Sequence, residues 1–467
     1  MKCVASTRHI LCIVRGADVH DHGDGRAVMV PGPESAVERA GAPLMPSLVP
    51  GRPDVVVVGG GIIGLASAYE LARTGVRVLV VEESVPGAGQ SGRNWGFVRQ
   101  QGRSLPELPM MRAANQRWVA LEDELDEKIE WVQGGNLALS GPDTADRYRD
   151  WAAIGVEHGL DTRLVDPLEV QDLVPGLRIP HATAIYTSTD GHAEPLAATR
   201  AYSDAAIRHG ATVLTGWRAL GLERAGERVT GVRTDRGTLS ADVVVCAAGT
   251  ASRRLLGTAG VRLPQSTVRG TVGLTAEVPP LSRTSVWAPG LAFRQRPDGR
   301  LVFSTGGGGD VDLTLDSFAQ APDFLPAFAS NHRRMRLRVN GALLRDLRRR
   351  LTGVEDRAEP RPTRSLARRS LARLRAALPG VPGLAAERFW AGTIDATPDG
   401  LPVIDRPAER PGLVVATGFS GHGFGLAPVA GDAVAGLITG APPAYDLHPF
   451  RFGRFAEGDH RPPDAIL

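Results

Sequence analysis

Two glycine clusters and a few arginines hold most of the chemistry that this chain spells out. Near the C-terminus, "VVATGFSGHGFGLAP" (Val414 to Pro428) contains Gly418, Gly421, Gly423 and Gly425, one histidine (His422) and no acid. Glycines at that density let backbone N–H groups approach a bound molecule with no side chain in the way. Earlier, "VVVVGGGIIGLASAYEL" places Gly59, Gly61 and Gly64 in G-x-G-x-x-G spacing. That spacing suits a pyrophosphate: Gly59 makes the tight turn, Gly61 admits the phosphates, and Gly64 lets helix and strand pack closely. Ile62 and Ile63 open the helix whose free N–H groups and positive dipole end face the anion. Glu82 ends the next apolar run, "VRVLVVEE". A carboxylate there accepts hydrogen bonds from ribose hydroxyls and repels a 2′-phosphate, which argues against NADP. Glu83 adjoins it as a second cofactor candidate, although strand alternation should turn it elsewhere.

These residues need a strand–helix–strand frame. "DVVVVGG" is a β-branched run ending in glycine, as expected of a buried parallel strand. Leu65, Ala68, Leu71 and Ala72 share one helical face, and Gly75 is placed to end that helix. After "PLAATRAYSDAAIRHG", "ATVLTG" and "ADVVVCAAG" return the same grammar, and "GLVVATG" closes it before a helix expected over Ala427 to Gly440. Between these lie segments of another kind, including "GLAFRQRPDGRLVFSTGG", whose "PDG" marks a hairpin turn. The fold class is therefore α/β (α+β): a Rossmann-like nucleotide-binding domain with a three-layer core, plus a discontinuous substrate domain on a mixed or antiparallel sheet. The expected boundaries are a flexible leader over 1–50, the nucleotide domain over 51–105, 191–262 and 386–447, the substrate domain over 106–190 and 263–385, and a C-terminal tail over 448–467. Met29 and Met45 are alternative starts, so part of the leader need not exist in the mature protein.

Composition narrows the function classes. At 467 residues the chain exceeds one ordinary domain, and its 42% hydrophobic and 22% charged content fits a globular protein. A net charge of +3 gives no reason to expect nucleic acid as a partner. Cys3, Cys12 and Cys246 form neither a metal spacing nor a disulfide framework, so no metal and a cytoplasmic setting are expected. No stretch reaches the length of a transmembrane span. The bases are almost all arginine, Lys2 and Lys128 being the only lysines. The arginine-rich "NHRRMRLRV" and "LLRDLRRRL" read as a solvated helical surface.

The glycine fingerprint alone does not separate NAD from FAD. Its place at the start of the ordered chain, a long intervening domain and a final glycine-rich strand–loop–helix together point to FAD, whose ring needs a second platform. The helix after Gly425 would then aim its N-terminus at the flavin pyrimidine end, where negative charge develops on reduction.

Together with "GAGQSGRNWGFVRQ", "TDGHAEPLAATRAYSDAAIRHGATV" and "TPDGLPVID", these motifs resemble the FAD-dependent amine and amino-acid oxidoreductases. That family includes D-amino-acid oxidases and dehydrogenases, glycine oxidase and sarcosine oxidases. The resemblance spans about Asp54 to Phe450. It implies that the segment Gln90, Ser91, Gly92, Arg93, Asn94, Trp95 and Gly96 passes under the flavin, and that adenine contacts lie near Ala219. It also implies that Ala248 and Gly249 back the cofactor, and that Gly418, Phe419, Ser420, Gly421, His422 and Gly423 line the ring. Cys246 is placed away from the ring and the N-terminal motif has no histidine, so noncovalent FAD is expected.

The implied activity is oxidation of a C–N bond of an amino acid or secondary amine by hydride transfer to flavin N5, giving an imine that hydrolyses. Oxidation of a 2-hydroxy acid on the same scaffold and a non-catalytic flavin-binding assembly factor are the alternatives. Many sarcosine oxidases carry a carboxylate-holding lysine where this chain has Gly425, and no lysine here is placed to activate oxygen. The absence leans toward a dehydrogenase, with oxygen, a quinone or another carrier as electron acceptor. Anchoring a carboxylate then falls to arginine: Arg99 first, Arg294 second, Arg269 third. Gln100 and Gln101 could add polar contacts, His422 reaches ring or substrate or braces its loop, and Trp95 and Trp390 wall the cavity or pack in the core. His192 is expected to order the turn before the next helix, with Asp190 as that helix's cap.

Overall fold

The computed structural model describes residues 51–331, 335–352, 359–442 and 444–462; the leader expected over 1–50 lies outside them. A six-stranded sheet forms the first half. Its order is Val403–Asp405, Leu413–Thr417, Val243–Cys246, Val55–Val58, Val78–Glu82 and Thr212–Thr215, parallel throughout except for the antiparallel first strand. Val56, Val57, Val80, Val244 and Val245 are fully buried, as continuous β-branched runs require when both faces of a sheet are covered.

Helices Ile62–Arg73, Pro195–Arg208 and Gly423–Thr439 cover one face, and their core joins Leu65, Tyr202 and Val429 to Val57. The other face carries a three-stranded antiparallel sheet, Ala219–Ala225, Arg228–Thr234 and Gly237–Ser240, through Leu222, Val229 and Val232. This is the expected three-layer arrangement. A mixed ten-stranded sheet forms the second half, with helix Arg364–Ala377 packed on one face through Leu374 and Ala377.

Three expected boundaries move. Strand Ala386–Ala396, assigned to the nucleotide domain, pairs along most of its length with Ser266–Glu277 and belongs to the ten-stranded sheet. Helix Leu108–Leu125, assigned to the substrate domain, buries Met111, Trp118 and Leu121 in the same core as Leu65 and Val429. The segment from 448 is no tail: Phe450 is wholly buried, and Arg454 forms a buried 2.7 Å ion pair with Asp399. Sequence period shows that a segment has an apolar face but not which body that face meets. The C-terminal helix also begins one turn earlier than expected, at Gly423 with His422 in the cap position. Among the described residues, no helix is long and apolar enough to cross a membrane.

Candidate active site

The nucleotide cradle is made almost entirely of backbone. Gly59 adopts φ +113°, and a Cβ there would lie 2.4 Å from the Ala247 carbonyl oxygen. A Cβ on Gly64 would lie 2.1 Å from the Gly59 oxygen, so this glycine sets the helix-to-strand distance. No side chain caps Gly61 at the head of helix Ile62–Arg73. The Ile62 amide donates to Ser91 Oγ at 2.9 Å, and Ile63 is half-buried beside it. At the end of Val78–Glu82, Glu82 accepts from the amides of Gly60 at 2.7 Å and Ser84 at 2.8 Å. Burial pushes its carboxyl above the usual range, against the pull of those two amides. Glu83 corrects the expectation that paired both acids: it is exposed and points away from the cradle, as strand alternation requires. Ala219 opens its strand close by, where the Trp217 amide donates to the Glu82 carbonyl at 2.9 Å.

The segment Gln90–Gly96 ties this cradle to the C-terminal loop. Gln90 accepts from the Asp395 amide at 3.1 Å, and its side chain lies where a Cβ on Gly249 would fall, beside Ala248. Asn94 closes its own turn, donating to the Ser91 carbonyl and accepting from the Gly96 amide, each at 2.6 Å. A Cβ on Gly92 would strike Leu196, and one on Gly96 the Ala193 carbonyl, which fixes how closely this turn lies on its neighbours. Arg93 donates to the Ala88 carbonyl and pairs with Glu359 at 2.7 Å, so its charge is already met.

In the C-terminal loop, Gly418 has φ +72° and its amide donates to Asp395 Oδ2 at 2.8 Å. Asp395 is buried and also accepts from Gln265 and Thr417; burial raises its carboxyl. Ser420 and Gly421 continue the left-handed path, with Ser420 donating its amide to the Asp395 carbonyl. Phe419 turns into the helix core and lies against Gly423. Gly425 has a steric cause: a Cβ there would lie 2.8 Å from Met111 Cε, and its carbonyl accepts from Trp118 Nε1 at 2.8 Å. A longer side chain would have to move the end of the Met111 side chain.

Side chains make the opposite wall. Strand Phe97–Val98 delivers Arg99 to the face of Trp287, with the guanidinium carbon 4.0 Å from the ring centroid. Trp95, Phe97 and Trp287 form one aromatic group, the two tryptophan centroids being 5.5 Å apart. Trp95 also shares an apolar cluster with Trp390, Val272, Leu274 and Val302. Arg99 is 7% exposed, and its Nη1 has no hydrogen-bond partner. Burial, then repulsion from Arg103, pushes it down to about 9, while Asp190 and Tyr148 pull the other way. It is still charged at neutral pH, with that donor unmet. Beneath it, Asp190 is wholly buried and accepts from the Gln100 amide at 2.8 Å; burial raises its carboxyl to about 7. Asp190 is therefore not the helix cap expected from sequence; Glu194 occupies the position before Pro195–Arg208. Gln101 is locked to Asn136 and Thr187.

Arg294 departs from its expected role. It is 1% exposed, pairs with Glu194 at 2.8 Å and donates to the Trp95 carbonyl. Arg269 is likewise committed to Asp312 at 2.7 Å. Both brace the sheet with charges already neutralised. His192 is buried in the strand beside Phe97 with Nδ1 3.2 Å from Ser285 Oγ, and burial holds it well below its ordinary value. His422 places Nδ1 3.0 Å from the buried Glu107. Burial and then Arg103 lower the imidazole against the pull of Glu107. Its Nδ1–H faces the carboxylate, leaving the lone pair at Nε2. Glu107, Trp287 and Asp395 sit in stretches that no motif singles out, and Asp190 was expected only as a cap; each acts across the fold.

The described cradle fits FAD: crowded glycines, a helix start whose first amide meets only the Ser91 hydroxyl, a ribose-side carboxylate and a second glycine loop tied to the first through Gln90 and Asp395. Comparison with known proteins agrees. Residues 54–437 match the model of the family described as FAD dependent oxidoreductase. The chain is 27% identical over 416 residues to the sarcosine oxidase subunit beta of Rhizobium meliloti (strain 1021), covering 87% of this chain and 89% of that one. It is 28% identical over 419 residues to the glycine oxidase of Geobacillus kaustophilus (strain HTA426), covering 86% and 97%. Among solved structures, the L-amino acid deaminase from Proteus myxofaciens in complex with anthranilate superposes with a TM-score of 0.81 at 25% identity, covering 90% of this chain and 96% of that one. The chain belongs to the FAD-dependent oxidoreductase family and, like its relatives, is an oxidoreductase of amine or amino-acid substrates with FAD as cofactor.

Proposed function

We propose that the protein oxidises the C–N bond of an amino acid or N-alkyl amino acid whose carboxylate is held by Arg99. The observation that carries this reading is the buried guanidinium with an unpartnered Nη1 beside an aromatic wall. A buried guanidinium with an unmet donor is costly, and a bidentate carboxylate relieves that cost. The anthranilate bound by the Proteus deaminase is an aromatic carboxylate, which supports a site of this chemistry here.

Bound FAD supplies the hydride acceptor for the C–H next to nitrogen. The chain's own groups do the rest. Gly59, Gly61, Gly64, Ser91 and Glu82 would hold the nucleotide, and the Gly418–Gly423 loop the ring. Arg99 fixes the carboxylate, Trp95, Phe97 and Trp287 exclude water, and His422, kept neutral and oriented by Glu107, offers Nε2 to the substrate ammonium proton. The product imine then hydrolyses to a keto acid or aldehyde. Noncovalent attachment belongs to the proposal, because Cys246 is buried in its strand with its thiol raised to about 11.

A dehydrogenase is preferred to an oxidase: Lys128 is exposed and paired with Glu122 at 3.0 Å, and Lys2 lies outside the described residues. The cysteine content supports a cytoplasmic setting. Anaerobic mixing with D-, L- and N-methyl amino acids, and with the matching 2-hydroxy acids, tests the reading. Bleaching by amino acids with release of keto acid or aldehyde supports it. Bleaching by hydroxy acids alone contradicts it.

A further inference from the structure

A cavity of about 450 Å³ is lined by Tyr148, Trp287, the Thr305–Gly308 turn and four arginines. Its volume lies in the range of small-molecule sites. The arginines converge from separate elements: Arg147 from helix Ala145–Glu157, Arg336 from strand Met335–Arg338, and Arg369 and Arg373 from helix Arg364–Ala377. Only Arg336 has a facing acid, Asp310 at 3.3 Å, and Asp310 is shared with Arg338. Among the described residues, Arg147, Arg369 and Arg373 make no ion pair. Asp143, on the rim, is the one carboxylate in the lining. Arg373 is laid directly over Gly290, where a Cβ would collide with its Nη1.

The backbone adds to the same field. Gly306, Gly307 and Gly308 all have positive φ, and among the described residues their amides donate no hydrogen bond. Burial, and then neighbours that include Arg338 and Arg369, hold Arg336 below its ordinary value. Like charges gathered in a concavity are stable in water but gain when a multivalent anion bridges them. A solvated surface of arginines would be scattered and convex; here they share one concave wall with unpaired amides.

We propose that this cavity is an oxyanion site for a compact ligand bearing two or more negative charges, either a phosphate ester or a polycarboxylate. Trp287 lines it and carries Arg99 over its ring, so the cavity borders the proposed substrate wall. Binding itself does not depend on the amine-oxidation reading and is measured without turnover.

Calorimetric titration of the FAD-loaded protein with inorganic pyrophosphate, and separately with tricarballylate, tests the site. At least one probe should bind saturably at one site per chain, and the tighter of the two names the phosphate or carboxylate source. The double variant Arg369→Gln/Arg373→Gln should weaken that binding at least about ten-fold. Arg147→Gln, on helix Ala145–Glu157, should weaken it by a smaller factor. All are exposed side chains, so flavin content and melting temperature should match the parent. The proposal is overturned if neither probe saturates, if sodium chloride at equal ionic strength reproduces the heat, or if both variants bind as the parent does.

Discussion

The two walls of the site are built from different material. The nucleotide side is backbone: Gly59, Gly64 and Gly418 hold their positions because a neighbouring carbonyl or side chain occupies the place of any Cβ. The proposed substrate side is side chain: Phe97 and Trp287 stand on strands, and Trp95 and Arg99 flank Phe97–Val98 in sequence. A backbone wall has few ways to change and binds one invariant ligand. A side-chain wall can be retuned residue by residue, which is where the proposed function puts substrate choice.

Substitutions test that contrast. The largest effect belongs to Gly59→Val, which drives branched atoms into the Ala247 carbonyl. The purified variant should be colourless, with no flavin retained on gel filtration. Next, Glu82→Gln removes the charge offered to the ribose while keeping the side-chain shape. Its FAD dissociation constant, read by fluorescence titration, should rise about 10–100-fold. Gly425→Lys installs the residue that many sarcosine oxidases carry, but its Cβ meets Met111 Cε. The substitution should lower stability by ~1–3 kcal/mol in a denaturant titration, and adding Met111→Ala should recover part of that loss.

Asp190 gives a pH effect with a definite sign. Its carboxyl is raised to about 7 in the folded protein, above the ~3.9 of an unfolded aspartate. The folded state therefore binds the extra proton between those values, and stability falls as pH rises through that window. Below about 7 the neutral Asp190 no longer offsets the charge of Arg99, so the KM for an amino acid should be lowest there and rise several-fold as the carboxyl ionises and competes with the substrate carboxylate. Asp190→Asn should flatten that limb and remove the accompanying loss of stability. Glu83→Ala marks the bottom of the scale: FAD affinity should stay within about two-fold, since the side chain faces solvent.

Legibility in the sequence follows the same division. Gly59, Gly61, Gly64 and Glu82 were readable because a pyrophosphate and a ribose impose fixed spacing on a single strand–helix–strand unit. The Gly418–Gly423 loop stands out by its glycine density and by the family resemblance. Arg99 is an expectation because it follows the cofactor segment directly, and its role belongs to the proposed function. Trp287, Glu107, Asp190 and Asp395 were not readable in their observed contacts, because each works through contacts across 100 or more residues or through burial that no local pattern records: His422 meets Glu107 across 315 positions. The misassigned arginine is instructive. Arg294 sits on a substrate-domain strand as expected, yet Glu194 neutralises it, and no motif announces that pairing.

The central claim is that Arg99 is the carboxylate anchor. The direct measurement compares kcat/KM for an amino acid and for the amine lacking its carboxylate, in the parent and in Arg99→Gln. The account predicts that the parent prefers the amino acid and that Arg99→Gln loses about 100-fold on it while leaving the amine nearly unchanged. Equal losses on both substrates, or an undiminished preference in the variant, would contradict it.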